Sequence, residues 1–241
     1  MSQIERTVER IIESEVDENA WRQHISRYEF AKPYVQDKAI LDVACGTGYG
    51  TFFLARSCST KITGVDVSSE AVTHAKTHYS HPSLEYRLGD ALDLSPYKGV
   101  GAVVSLETIE HLQEPERFLG EVVKLLPADG TFVVSTPNRE SGKLTDKPRN
   151  PFHVREWNDE EFRALLSKYF GRVEFHDQFL YVAPLSYPGS RTVANLIIRA
   201  LRPQLLETLG KWEVTRPEPT NLPLVRVIPK YIVAVCTQPK R

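Results

Sequence analysis

A chain of 241 residues is long enough for one domain with a large buried core, or for one domain carrying an added segment. Its 30 Lys and Arg are balanced by 31 Asp and Glu, which argues against a general nucleic-acid binder. A hydrophobic content of 41% with 10% aromatic residues excludes a disordered or fibrous chain.

The cysteines and the chain's apolar runs indicate the cellular setting. Cys45, Cys58 and Cys236 form no CxxC pair and no Cys/His cluster, which argues against a disulfide framework or a zinc site. The charged N-terminus lacks the apolar core of a signal peptide, and no apolar run approaches the roughly 18 residues of a membrane helix. We therefore expect a cytoplasmic protein without a membrane span.

Helical and strand patterns alternate along the first two thirds of the chain. Apolar spacing predicts helices at 4–16 and 21–34, an N-terminal helical cap of about 1–36. The predicted strands are 38–44, 61–66, 84–88, 100–106, 130–136, 172–182 and 230–237, and the predicted helices are 48–57, 69–79, 115–126 and 158–169, the last with Asn158 as N-cap. Such alternation implies a mostly parallel sheet with helices on both faces, in one domain over 1–241.

The segment of about 184–229 breaks this alternation. It contains seven prolines and one amphipathic stretch, Ser190–Leu209, that is interrupted at Pro203. We interpret it as an insertion between the last two strands. Its apolar stripe could cover a substrate site, pair with a second subunit in a homodimer, or pack on its own sheet.

The strongest local signal is ILDVACGTGYG at 40–50, a glycine loop between a strand and a helix. Gly46 and Gly48 permit a tight turn and close approach of a ligand, and the following helix N-terminus favours an anionic or polar group. A dinucleotide fingerprint would require glycine where Thr51 stands. Asp42 would repel a pyrophosphate and suits an ammonium group instead.

Four motifs in order, DVACGTGYG, GVDVSSEAV, LGDALDL and VVSLETIEHL, resemble those of class I S-adenosylmethionine-dependent methyltransferases over about 38–137. NPFHVREW at 150–157 and WRQHISRYEFA at 21–31 resemble a bacterial subgroup associated with sugar, polysaccharide or natural-product methylation. The resemblance implies S-adenosylmethionine as cofactor. It also implies a Rossmann-like, mostly parallel seven-stranded sheet with an antiparallel last strand.

The resemblance further implies which residues bind the cofactor. Asp42 would face the methionine end, Asp66 would bind the ribose, and Asp90 would bind the adenine amino group. Tyr28 shares a helical face with His24 and could cover the cofactor as a lid or pack in the core. The full expected set is Tyr28, Asp42, Ala44, Gly46, Gly48, Asp66, Val67, Asp90, Ala91, Leu92, Ser105 and Glu107.

Two histidines are the candidate catalytic residues. His111 follows the fourth strand, where ligands of such sheets bind, and histidine is the side chain best suited to act as a general base near neutral pH. His153, which Glu156 could orient, is the second candidate; packing or loop roles are open for both. Glu107 and Glu110 are followed by no Asp-Asp or Asp-Asn pair, so we expect solvated or capping acids and no metal.

These features predict methyl transfer to a hydroxyl of a small molecule such as a sugar or natural product. An N- or carboxyl-methyltransferase is the alternative, followed by an NAD(P)-dependent reductase and a non-catalytic cofactor-binding protein. The loop 137–155 carries five cationic and two acidic residues, which suggests an anionic acceptor or a solvated loop. We expect no nucleic-acid partner.

Overall fold

The computed structural model describes residues 18–58, 60–139, 150–182, 212–215 and 226–240. The helices are α1 Glu18–Val35, α2 Tyr49–Ser57, α3 Ser69–His78, α4 Pro115–Leu125 and α5 Asp159–Tyr169, with a 3₁₀ turn at Ile109–His111. The strands are β1 Ile40–Val43, β2 Ile62–Asp66, β3 Leu84–Leu88, β4 Ala102–Leu106, β5 Thr131–Pro137, β6 Phe170–Val182, β7 Trp212–Thr215 and β8 Arg226–Pro239.

The strands form one mixed sheet in the order β3-β2-β1-β4-β5-β8-β6-β7. Strands β1 to β5 pair in parallel, and β8 runs antiparallel between β5 and β6. The predicted fold class is therefore confirmed, including the antiparallel last strand. Beyond the seven expected strands, the short strand β7 pairs with β6 at the sheet edge.

Helices cover both faces of the sheet, as the alternation predicts. Val103 of β4 packs in one core with Phe118 of α4 and Leu166 of α5. Its neighbour Val104 packs in a second core with Leu54 of α2. Successive residues of a buried parallel strand thus point to opposite apolar layers, which explains the continuous apolar runs in the sequence.

The segment 150–157 is anchored at its C-terminal end by the start of α5. The Asn158 side chain accepts a hydrogen bond from the Glu161 backbone N–H, and the Glu161 carboxylate accepts one from Asn158, a complete capping box. Trp157 is 1% exposed and forms a parallel bridge with Asn138 beyond β5. These contacts fix the loop that carries His153, and they confirm Asn158 as the N-cap.

Several predicted features lie outside the described residues. They are the helix at 4–16, the amphipathic stretch Ser190–Leu209 and most of the insertion, of which β7 and the first part of β8 are described. The single domain and its insertion stay predictions. Within the described ranges, no helix is long and apolar enough to cross a membrane.

Candidate active site

A cavity of about 330 Å³ lies at the carboxyl ends of the central parallel strands. Strand β1 has β2 on one side and β4 on the other, and this reversal of strand order is where open α/β sheets bind ligands. The wall is formed by α1 and by the segments after β1 to β4: His24, Arg27, Tyr28, Ala44, Cys45, Gly46, Thr47, Tyr49, Asp66, Val67, Gly89, Asp90, Ala91, Leu106, Glu107, Thr108, His111 and Leu112.

The two glycines of the loop after β1 serve different purposes. Gly46 lines the cavity with φ +55°, and an added Cβ would meet no atom within 4 Å. Gly48, with φ +90°, lies outside the set of described lining residues. There a Cβ would lie 2.6 Å from Cβ of Ala75 and 2.9 Å from the Tyr86 ring. Gly46 therefore leaves open space at the cavity wall, and Gly48 allows α3 and β3 to pack against the loop.

Asp66 joins the ends of β1 and β2 at the cavity wall. Its Oδ2 accepts a 2.8 Å hydrogen bond from the Gly46 N–H, and its Oδ1 accepts a 2.9 Å bond from the Ser68 N–H. Each carboxylate oxygen can accept a second hydrogen bond. Asp66 is thus fixed in place while it keeps acceptor capacity for hydroxyl groups of a ligand.

Beside Asp66, the wall combines an apolar and an acidic side chain. Val67 lines the cavity and is 74% exposed, which suits the apolar face of a flat ring. Asp90 also lines the cavity, and its Oδ1 accepts a 2.8 Å hydrogen bond from the Leu92 N–H. Ala91 lies in the wall, whereas Leu92 does not and instead holds the Asp90 carboxylate through its backbone.

Asp42 is 1% exposed and is not one of the described residues that line the cavity. Its Oδ2 accepts hydrogen bonds from Thr51 Oγ1 at 2.7 Å and from the Tyr28 hydroxyl at 3.3 Å. Its Oδ1 has no hydrogen-bond partner in the described part of the chain. Asp42 therefore lies behind the cavity wall, where it holds the hydroxyl of the lining residue Tyr28, and its expected place at the methionine end stays a prediction.

Three residues of α1 face the cavity at helical spacing: His24, Arg27 and Tyr28. The Arg27 guanidinium is fully buried, donates through Nη1 to Gln178 at 2.6 Å and through Nη2 to His24 Nδ1 at 2.9 Å, and lies 4.6 Å from the Tyr231 ring centroid. Burial, and then the Arg27 charge, lowers the pKa of His24 to about 2, so His24 is neutral.

Arg27 is a functional candidate that the sequence analysis missed. Among the described residues no carboxylate pairs with it, and its Nε has no hydrogen-bond partner. A buried cation without a counter-ion is unfavourable, and a ligand carboxylate would compensate it. The signal available in the sequence was its position on the helical face already identified from His24 and Tyr28.

At the end of β4 the backbone presents Glu107 to the cavity. Its φ of +56° is unusual for a residue with a side chain. Ser135 of β5 holds it from both ends, because its Oγ donates to Glu107 Oε1 at 2.6 Å and accepts from the Glu107 N–H at 3.1 Å. Ser105, two residues earlier in the strand, is fully buried and is not part of the described wall.

His111 lies in the cavity wall with a defined tautomer. Its Nδ1 lies 3.0 Å from the Phe152 carbonyl oxygen, which can only accept, so Nδ1 carries the proton. In the neutral ring Nε2 then bears the lone pair. His153 packs edge-on against this ring with centroids 4.8 Å apart, but it is not one of the described lining residues.

His153 and Glu110 connect segment 150–157 to the 3₁₀ turn. His153 Nδ1 donates to Glu156 Oε1 at 2.9 Å, and its Nε2 accepts from Asn150 at 3.0 Å. The Glu110 carbonyl accepts from the Val154 N–H at 2.8 Å. The Glu110 side chain is 1% exposed, which corrects the expectation of a solvated or capping acid.

The basic loop gives limited support for an anionic acceptor. Arg139 pairs with Glu161 at 2.9 Å, and the Arg155 guanidinium lies 5.3 Å from the Trp157 ring centroid. The other three cations, Lys143, Lys147 and Arg149, lie outside the described residues. The anionic acceptor therefore stays a prediction, as does the homodimer expected from Ser190–Leu209.

Comparison with known proteins finds methyltransferases whose sequences are similar to part of this chain. Residues 41–134 match the family model of a methyltransferase domain. A probable S-adenosylmethionine-dependent methyltransferase of Mycolicibacterium smegmatis is 35% identical over 66% of this chain and 62% of its own length. A fatty-acid O-methyltransferase of the same species is 32% identical over 50% of this chain and 45% of its own length. The chain thus spans about three fifths of the first relative and under half of the second.

A solved structure shares the fold at low sequence identity. A S-adenosylmethionine-dependent methyltransferase of Thermotoga maritima superposes with a TM-score of 0.63 at 19% identity. The match covers 91% of each chain. At this identity the likeness supports the fold.

The buried Asp42 predicts a pH-dependent stability. Burial raises the pKa of Asp42 from 3.8 to about 7, although the hydrogen bonds from Thr51 and Tyr28 lower it. The contribution of Asp42 to the free energy of unfolding is therefore full below about pH 4 and is lost as the pH rises through about 7. Asp42→Asn, which keeps an acceptor oxygen, should gain stability relative to the parent protein between about pH 4.5 and 8.

Urea unfolding at several pH values measures this difference. Asp93→Asn is the matched control, because Asp93 is exposed and hydrogen bonds from Ser95 lower its pKa. The control should show no such gain. A difference between Asp42→Asn and the parent that does not vary with pH would contradict a protonated, buried carboxyl group.

Proposed function

We propose that the chain is a class I S-adenosylmethionine-dependent methyltransferase and that it transfers the methyl group of S-adenosylmethionine to a hydroxyl of a small molecule such as a sugar or natural product. The observation that carries the choice of a hydroxyl is His111. Its Nε2 lone pair lies at the wall of the cavity, and its Nδ1 is held by the Phe152 carbonyl. A hydroxyl nucleophile requires such a group, whereas a carboxylate does not.

We assign the adenosine half of the cofactor to the ends of β2 and β3. Asp66 keeps acceptor capacity for the ribose hydroxyls, and Val67 offers an exposed apolar surface to adenine. Asp90 supplies an acceptor for the adenine amino group. Gly46 has no side chain, so the ligand can approach its backbone closely.

We assign the methionine half to α1 and the end of β4. The buried Arg27 guanidinium suits the methionine carboxylate, because both partners would gain a counter-ion. Glu107, held by Ser135, suits the ammonium group. Asp42 acts here only indirectly, because its carboxylate accepts a hydrogen bond from the Tyr28 hydroxyl. The sulfonium would then lie between the adenosine half and the wall formed by His111.

S-adenosylmethionine supplies an activated methyl group: the C–S bond breaks as a C–O bond forms, and the electron pair stays on sulfur. The protein has to align the acceptor oxygen with that bond and exclude water. It also has to remove the hydroxyl proton, and we assign this step to Nε2 of His111 at the cavity wall, which can accept the proton. His153 is the positioning residue, because its ring packs on His111 and its nitrogens bind Glu156 and Asn150.

Asp66→Ala tests the cofactor site. Loss of the ribose acceptor should weaken S-adenosylmethionine binding by about 1.5–3 kcal/mol, roughly ten- to 150-fold, as measured by isothermal titration calorimetry. Asp93→Ala, an exposed aspartate outside the described wall, is the control and should bind as the parent does. Equal affinity in Asp66→Ala and the parent would overturn the assignment.

His111→Ala tests the acceptor side. A mass-spectrometric screen of hydroxylated small molecules for S-adenosylhomocysteine release identifies an acceptor for the assay. With it, turnover should fall by about 10²–10⁴-fold while cofactor affinity is retained. His78→Ala, an exposed histidine on α3, should turn over normally. A rate for His111→Ala within about threefold of the parent would favour His153 or chemistry that needs no proton acceptor.

A further inference from the structure

Three side chains, of which His111 lines the cavity, form a mixed carboxylate and imidazole cluster. Each of Glu110, His111 and His153 offers a ligand atom, and these atoms all lie within 4.8 Å of one another. We propose that the cluster binds a divalent first-row transition-metal cation that holds the acceptor oxygen. The inference rests on the proposed function and states how the hydroxyl would be activated. The sequence predicts no metal because no Asp-Asp or Asp-Asn pair follows Glu107 and Glu110, and the ligand His153 comes from a separate segment.

Both histidines are held as metal-binding histidines usually are. The Nδ1–H of His111 donates to the Phe152 carbonyl, and the Nδ1–H of His153 donates to the Glu156 carboxylate. Such bonds fix the tautomer with its lone pair on Nε2 and orient the ring toward a cation. His153 Nε2 accepts from Asn150 at 3.0 Å, so a cation would take the place of that N–H.

Glu110 provides the independent observation that points to a ligand. Its carboxylate is 1% exposed, and neither oxygen has a hydrogen-bond partner among the residues the structure describes. Its Oε1 lies 4.0 Å from His111 Nε2. A buried carboxyl group without a well-formed hydrogen bond is costly, and a coordinated cation would supply both charge and directional bonds.

The donor set also indicates which cation would bind. Two imidazoles and one carboxylate suit Zn²⁺, Co²⁺, Fe²⁺ or Mn²⁺ rather than Ca²⁺. Ligand atoms about 2.0–2.2 Å from one cation lie about 3–4 Å apart, so the cluster would contract by about 1 Å on binding. Three protein ligands leave coordination positions open, as in catalytic metal sites.

An open position beside His111 would face the cavity, where the acceptor must lie. A hydroxyl bound to the cation has a lowered pKa and releases its proton to water. Its oxygen then forms the C–O bond as the C–S bond breaks, and S-adenosylhomocysteine leaves with the electron pair. In the cation-bound protein His111 would act on the hydroxyl only as a ligand of the cation. In a metal-free protein the Nε2 atom of His111 would accept the hydroxyl proton itself.

Titration of EDTA-treated full-length protein with Co²⁺, followed by calorimetry and visible absorption, tests the site directly. The parent should bind one Co²⁺ per chain. Glu110→Gln and His153→Ala should each weaken binding at least tenfold, and Glu156→Gln by about 10- to 100-fold through loss of the Nδ1 partner. Exposed residues outside the cluster provide the matched controls, Glu114→Gln and His78→Ala, which should bind Co²⁺ as the parent does.

Retained S-adenosylmethionine binding shows that each variant is folded; if Glu110→Gln does not fold, His153→Ala decides. No bound cation in the parent, or equal binding in His153→Ala, would overturn the metal site. Co²⁺ binding without methyl transfer to any hydroxyl would instead overturn the proposed function and keep the site. Turnover that is unchanged in the EDTA-treated, cation-free protein would keep the function and overturn the site.

Discussion

The parallel pairing of β1 with two neighbours is the constraint on which the site depends. Strand β1 pairs in parallel with β2 and with β4, and Asp42 in β1 lies opposite Gly64 and Val104. All three strands therefore run in the same direction and end at one edge. The chain segments that follow them must therefore meet there, although they are far apart in sequence. The cavity lies where these segments meet, and α1 closes it on one side.

Much of the fold was predictable because its signals are local. Short apolar runs between turn residues predicted the parallel strands, and Pro115 and Asn158 marked the starts of α4 and α5. The resemblance of the motifs placed Asp66 and Asp90 at the cofactor site, and both residues line the cavity, where the parallel strands end together. The edge strand β7 was missed, since its pairing with β6 is a long-range contact without a local pattern.

The rest of the candidate site was not predictable because it depends on contacts between segments that are far apart in the sequence. Whether Asp42 faces a ligand or a hydroxyl depends on Tyr28, which α1 brings across the end of β1. The approach of His153 to His111 depends on backbone bonds from segment 150–157 to the Glu110 carbonyl. Such contacts form only in the folded chain, so the spacing of residues in the sequence does not predict them.

Two buried ionisable side chains lie at this cavity or next to it. Arg27 lacks a carboxylate partner and Glu110 lacks hydrogen bonds, in each case within the described ranges, and both are almost fully buried. A folded chain tolerates such groups where a ligand completes them. We propose that Arg27 binds the methionine carboxylate and that Glu110 binds a cation beside the acceptor.

The crystal structure of the complex with S-adenosylhomocysteine tests the central claim most directly. We expect the ribose on Asp66, adenine against Val67 and the homocysteine carboxylate on Arg27, with the sulfur facing the wall that contains His111. A ligand bound outside this cavity, or with its adenosine and amino-acid ends exchanged, would contradict the account.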